Sequence, residues 1–262
     1  MITILLTVSR ADFLEKVITC LELQDVDHEE VNILCIVDGS NELYVKTRNL
    51  VNGMKFNQRL TVQSNNPGEP KRLEIRTRRM RIANNLNQAR DLIQEDSGYI
   101  FSVEDDTTFG PYAIQRLKDV MITNRAAGFA EGVELGRWGV PYVGAWKAND
   151  IYNPTLLTSV ENKMVIEPDE QPEEIDAGGL YCSMIRADLF KQHTFTSENG
   201  LGPDVNFGLE LRQLGYQNFI AWNVPCQHHY IDMGKPKWIS PADNSRVVAL
   251  DKVNDVKWHT SY

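Results

Sequence analysis

Three acidic residues in a row, Glu104-Asp105-Asp106, follow directly on the apolar run Tyr99 to Val103. Successive carboxylates at a strand end repel one another unless something cationic neutralises them. A hard divalent ion fits that role, because Mg2+ or Mn2+ is typically held by one or two carboxylates plus substrate phosphates. The competing reading is a solvated acidic turn in which Asp106 or Thr107 caps a helix, and the position right after a buried strand favours the metal. Far downstream, in Gln227-His228-His229-Tyr230, a histidine could reach back as a third ligand, with His228 preferred over His229. Paired histidines also occur in ordinary loops.

A second constellation is Leu201-Gly202-Pro203-Asp204-Val205-Asn206-Phe207, which opens a helix. The helix dipole favours Asp204 in the first turn, so capping alone would account for it. The functional reading is a general base that takes a proton from an acceptor hydroxyl. The run Lys71 to Arg81 is strongly basic. It suits a diphosphate or an anionic acceptor, or else a solvated helix start. Asp176-Ala177-Gly178-Gly179 allows close backbone approach to a ligand at Gly178 and Gly179, or is a plain turn. Trp138, Trp146 and Tyr181 are the aromatic candidates for an acceptor pocket.

The elements that must position these groups alternate between strand and helix. Ile2 to Val8 and Val31 to Val37 read as buried strands. Between them Phe13, Leu14, Val17, Ile18 and Leu21 recur at helical spacing, with Ser9 as the expected N-cap. Leu60 to Gln63 reads as a short strand, Arg78 to Gln94 as a helix and Tyr99 to Val103 as a strand. Pro111 suits the first turn of a further helix. Val140 to Trp146, Gly179 to Ile185 and Tyr216 to Trp222 read as strands. Asp204 to Leu214 reads as a helix closed by Gly215. Glu167 to Asp176 reads as an acidic surface loop. The pattern predicts an α/β fold with a mainly parallel open sheet flanked by helices and a smaller, irregular acceptor-side region. Ligands bind such sheets at the carboxyl ends of the strands. Ser9-Arg10, Asp38-Gly39-Ser40 and Glu104-Asp105-Asp106 all fall there.

Bulk properties narrow the class. At 262 residues the chain suits one large domain, and its net charge of -9 argues against general binding of nucleic acid or anionic membrane. Cys20, Cys35, Cys182 and Cys226 form no metal-binding or CxxC spacing, so four free thiols in a reducing compartment are expected. The N-terminus lacks a basic leader, and no apolar run approaches the roughly 20 residues of a membrane span. The expectation is a cytoplasmic protein without a transmembrane segment.

Several segments, taken together, resemble glycosyltransferase family 2. Ile36-Val37-Asp38-Gly39-Ser40 resembles its V-D-D-G-S segment with Val37 in place of one Asp. Arg81-Ile82-Ala83 through Ala89-Arg90-Asp91 is similar to the helix that precedes the metal motif there. Tyr99 to Thr107 resembles the strand and DxD motif with Glu104 in first place, and Pro203-Asp204 through Leu214-Gly215-Tyr216 is similar to the segment carrying the base. The resemblance covers roughly residues 1 to 230. It implies a GT-A fold with a nucleotide-sugar-binding half over about 1–110, an acceptor half over about 111–230 and a tail over 231–262. It further implies Asp38 against the base and Thr7, Ser9, Arg10, Arg81, Asn85 and Asp105 around the donor. Glu104, Asp106 and His228 would hold Mn2+ or Mg2+, and Asp204 would be the base of an inverting transfer. A UDP-sugar is the favoured donor, and the acceptor hydroxyl belongs to a glycan, a lipid-linked sugar or a modified nucleic acid. Pro203 stands where the family carries an acidic neighbour of the base. Two alternatives remain on the sequence: a nucleotidyltransferase, and a non-catalytic carbohydrate- or nucleotide-binding protein on the same scaffold.

Overall fold

A computed structural model describes residues 1–65, 75–135, 144–154, 156–160, 170–197, 201–229, 231–232 and 235–236. Trp138, most of the expected strand Val140 to Trp146, the start of the basic run and residues 161–169 lie outside the described residues.

The first half is built as the periodicity predicts. Strand β1 (Ile2–Val8), helix α1 (Leu14–Glu22), strand β2 (Val31–Val37), helix α2 (Asn41–Gly53), strand β3 (Arg59–Gln63), helix α3 (Ile75–Leu92) and strand β4 (Tyr99–Glu104) follow in order. The four strands are parallel, arranged β3-β2-β1-β4. Every residue of β2 is buried, the signature of a strand covered by helices on both faces. Helix α1 turns Leu14, Val17, Ile18 and Leu21 into the core. Its N-cap is Phe13 rather than Ser9, which lies well before the first helical residue and whose backbone N–H is held by the Asp105 carboxylate.

The second half joins the same sheet with mixed polarity. It contributes β5 (Thr107–Phe109), α4 (Ala113–Thr123), β6 (Ala127–Leu135), β7 (Trp146–Ala148), β8 (Leu157–Ser159), β9 (Glu173–Ile175), β10 (Cys182–Arg186), α5 (Ala187–Gln192), α6 (Pro203–Gln213) and β11 (Gln217–His228). The sheet continues from β4 through β10, β6 and β11 to β5, with β9 paired to β11. β10 runs antiparallel to both β4 and β6, whereas β6 and β11 are parallel. The expected α/β open sheet is therefore present, its parallel strands concentrated in the first half of the chain.

Three expectations are corrected. Pro111 lies outside α4, which starts at Ala113 after Tyr112. Residues 173–175 of the expected acidic loop form β9, and Asp176 beyond it is buried, accepting from Ala148 N–H at 2.8 Å and Arg212 Nε at 3.1 Å. β11 extends beyond Trp222 to His228. That extension positions the site, because the antiparallel pairing of β11 with β5 sets His228 opposite Thr107 and so beside Asp106.

Candidate functional site

A cleft of about 510 Å³ opens at the carboxyl ends of β1, β2 and β4. Of the residues singled out in the sequence, Thr7, Ser9, Arg10, Asp38, Arg81, Asn85, Glu104, Asp105 and Asp204 all line it. The strand-end rule for α/β sheets thus locates the site.

At one end Asp38 is buried and held by a guanidinium. Arg81 Nε donates to Asp38 Oδ2 at 3.0 Å, and the Arg81 terminal nitrogen donates to Oδ1. Asn85 Nδ2 donates to the same Oδ2 at 3.2 Å, while Asn85 Oδ1 accepts from Ser64 Oγ at 2.6 Å. Arg81 and Asn85 lie one turn apart on α3, so both reach the same carboxylate.

At the other end the three acids of the β4–β5 turn take different roles. Asp105 is buried, and its Oδ2 accepts the backbone N–H groups of Ser9 at 2.6 Å and Arg10 at 2.7 Å, tying β1's exit to β4's. Burial pushes the Asp105 carboxyl up to about 6, although Arg10 and the two N–H groups pull it down. Arg10 donates to Asp106 Oδ2. Asp106 Oδ1 is buried without a hydrogen-bond donor, and His228 Nε2 lies 3.0 Å from it and 3.3 Å from Glu104 Oε2. One ligand atom from each of Glu104, Asp106 and His228 falls within 4.8 Å of the others, a group that could hold a metal ion. Two carboxylate oxygens and an imidazole nitrogen form a donor set suited to a first-row divalent ion.

Sequence reasoning missed Glu134. It is buried on β6, and its Oε1 faces His228 Nδ1 at 3.2 Å, leaving Nε2 directed at the carboxylates. A carboxylate behind a ligating histidine commonly fixes its tautomer. Burial opposes the charged form of His228, but contacts with Glu104 and Glu134 outweigh it and raise its pKa above the usual value. Tyr181 stacks on the His228 ring at 5.7 Å. The neighbouring His229 faces the core instead, with Nε2 2.8 Å from Thr108 Oγ1 and its ring 4.6 Å from Phe13.

Asp204 occupies the first turn of α6, half-buried at the cleft wall. Desolvation raises its carboxyl to about 6, with nearby Glu104 adding to the rise. Gly202 leaves the space it needs, since a Cβ there would lie 2.2 Å from Asp204 Oδ1.

Gly178, Gly179 and Trp146 do not line the cleft. The two glycines accommodate the buried Glu131 carboxylate: a Cβ on Gly178 would lie 2.3 Å from Glu131 Oε2, and Gly179 N–H donates to that oxygen at 2.6 Å. Trp146 packs against a small cluster that contains Val205 and Leu209.

The fold matches solved structures closely enough to be assigned. TarS from S. aureus in complex with UDP-GlcNAc superposes with a TM-score of 0.58 at 12% identity, over 93% of this chain and 63% of that one. The mannosyltransferase PcManGT from Pyrobaculum calidifontis, in complex with GDP-Man and Mn2+, gives 0.57 at 12% identity over 86% of this chain and 56% of that one. The fold is GT-A. The chain spans less than two-thirds of the length of these GT-A structures. No protein-family model and no curated protein matches its sequence. Among the described residues, no helix of this GT-A chain is long and apolar enough to cross a membrane.

Proposed function

We propose that the protein is a metal-dependent glycosyltransferase that moves a sugar from a nucleotide-sugar to an acceptor hydroxyl. One observation carries the reading: Glu104, which lines the cleft together with Asp204, converges with the buried Asp106 and His228 just behind it. The neighbours bound to UDP-GlcNAc and to GDP-Man with Mn2+ support it. A UDP-sugar is the first donor to test.

Within this reading residues 1–110 hold the donor and residues 111–230 face the acceptor. Asp38, kept in place by Arg81 and Asn85, meets the nucleobase. Thr7, Ser9 and Arg10 border the nucleoside and diphosphate. Glu104, Asp106 and His228 hold Mn2+ or Mg2+, and Glu134 orients the histidine. The bound ion supplies charge neutralisation to a leaving diphosphate. Asp204 accepts the proton of the acceptor hydroxyl as its oxygen bonds to the anomeric carbon and the bond to the diphosphate breaks, giving inversion. A carboxyl raised to about 6 is ionised at neutral pH yet more basic than an ordinary aspartate, which suits that task. All four cysteines are free thiols, which supports the reducing, cytoplasmic setting.

The test is thermal melting against UDP- and GDP-sugars with and without Mn2+, followed by assay of sugar release. A metal-dependent rise in melting temperature with slow sugar release supports transfer chemistry. Metal-dependent binding without any release or transfer points to a binding protein, and pyrophosphate release from a nucleoside triphosphate to a nucleotidyltransferase.

A further inference from the structure

Arg10 touches both the candidate metal group and the cleft. Its backbone is fixed, because Asp105 Oδ2 accepts the N–H groups of Ser9 at 2.6 Å and Arg10 at 2.7 Å. Its side chain is half-buried, lines the cleft and donates one terminal nitrogen to Asp106 Oδ2. That pairing uses the guanidinium fork poorly. Nε is buried with no hydrogen-bond acceptor among the described residues, and it lies 3.8 Å from Asp105 Oδ1, too far to bond. A guanidinium commonly meets an oxyanion through two parallel N–H groups. Arg81 does so at Asp38, through Nε and a terminal nitrogen.

Asp106 is the carboxylate that Arg10 shares with the candidate metal group. Its other oxygen, Oδ1, lies 3.0 Å from His228 Nε2. Arg10 can play one of two parts there. As a brace it would stay on Oδ2 and hold Asp106 in place for a cation. As a counter-ion it would neutralise Asp106 only until a divalent cation does so. Charge favours the second part. A guanidinium and a divalent cation on one buried carboxylate repel each other, and the orphaned Nε does little to keep Arg10 in place. We propose that Arg10 is a displaceable counter-ion, which yields Asp106 to the metal and turns its fork to an oxyanion in the cleft, such as the donor diphosphate. Only the side chain has to move, because Asp105 pins the backbone. Anion binding through Arg10 then follows metal binding. The inference rests on the metal-dependent reading and adds to it a competition that the reading does not require.

The test measures Mn2+ binding to the whole chain without nucleotide, from the paramagnetic resonance of the free ion, and then UDP binding by calorimetry at saturating Mn2+. Arg10→Gln is expected to bind Mn2+ about tenfold more tightly than the wild type and UDP about tenfold more weakly. Arg10→Lys, which keeps a cation, is expected to return Mn2+ affinity toward the wild-type value. Loss of a brace or of the fold would weaken both ligands together, so the opposite signs identify displacement. Arg10→Met repeats the measurement with a second neutral side chain, and melting curves show that each variant folds. Mn2+ affinity unchanged or lowered in the neutral variants, or UDP affinity equal to wild type, would overturn the proposal while leaving the metal site in place. Mn2+ binding to neither the wild type nor the variants would remove the metal site itself, and the proposal with it.

Discussion

The two ends of the cleft hold carboxylates in opposite ways. At the Asp38 end the acid is already neutralised by the Arg81 fork and braced by Asn85. At the Asp106 end Glu104, Asp105, Asp106 and Glu134 crowd together around the Arg10 guanidinium and the His228 ring. A balanced carboxylate is a rigid recognition element, whereas an unbalanced group draws a further cation. Under the proposed function, charge balance, more than acidity alone, would separate the end meeting a nucleobase from the end gripping phosphates.

The largest effect belongs to Asp204 on the cleft wall. Asp204→Asn should cut turnover by about 10²–10⁴ while leaving donor affinity nearly intact; wild-type turnover would remove Asp204 from the chemistry. The same carboxyl sets a pH dependence. Its pKa of about 6 means that turnover falls as pH drops through that value, by about tenfold per unit at the acid limit. Between the unfolded value near ~4 and about 6 the native state binds the extra proton, so stability declines as pH rises across that window. Asp204→Asn should therefore melt slightly higher than wild type at pH 7, read by calorimetry.

Asp106→Ala should weaken metal-dependent UDP binding by at least about a hundredfold, because a ligand matters more than the groups behind it. Glu134→Gln, which keeps the shape behind His228 but removes the charge, should weaken Mn2+ binding by about tenfold. Metal affinity equal to wild type would reduce Glu134 to a packing residue. The smallest effect falls at the balanced end. Arg81→Lys keeps the charge but loses the fork, and should raise the donor KM by about threefold to tenfold without altering metal affinity. A larger loss there than at Asp106 would invert the comparison.

Much of this was legible in the residues. β1 and β2 follow their apolar runs residue for residue, and the groups expected around the donor line one cleft. The failures have physical causes. β6 reads Ala-Gly-Phe-Ala-Glu-Gly-Val-Glu-Leu, and its small and acidic residues hide a core strand from hydrophobic periodicity. Gly132 is required there because a Cβ would lie 2.6 Å from the Val224 carbonyl, next to the irregular pairing of β11. With β6 unseen, Glu131 and Glu134 could not be placed, and Gly178 and Gly179 looked like a ligand-facing turn. His228 was favoured over His229 on sequence, but only the β5–β11 pairing decides between two adjacent histidines.

The central claim is tested most directly by calorimetric titration of the unsubstituted protein with UDP, once with Mn2+ and once with a chelator. The account predicts saturable binding with the ion and little or none without it. Equal affinity in the two titrations would mean that Glu104, Asp106 and His228 do not hold the phosphates through a cation.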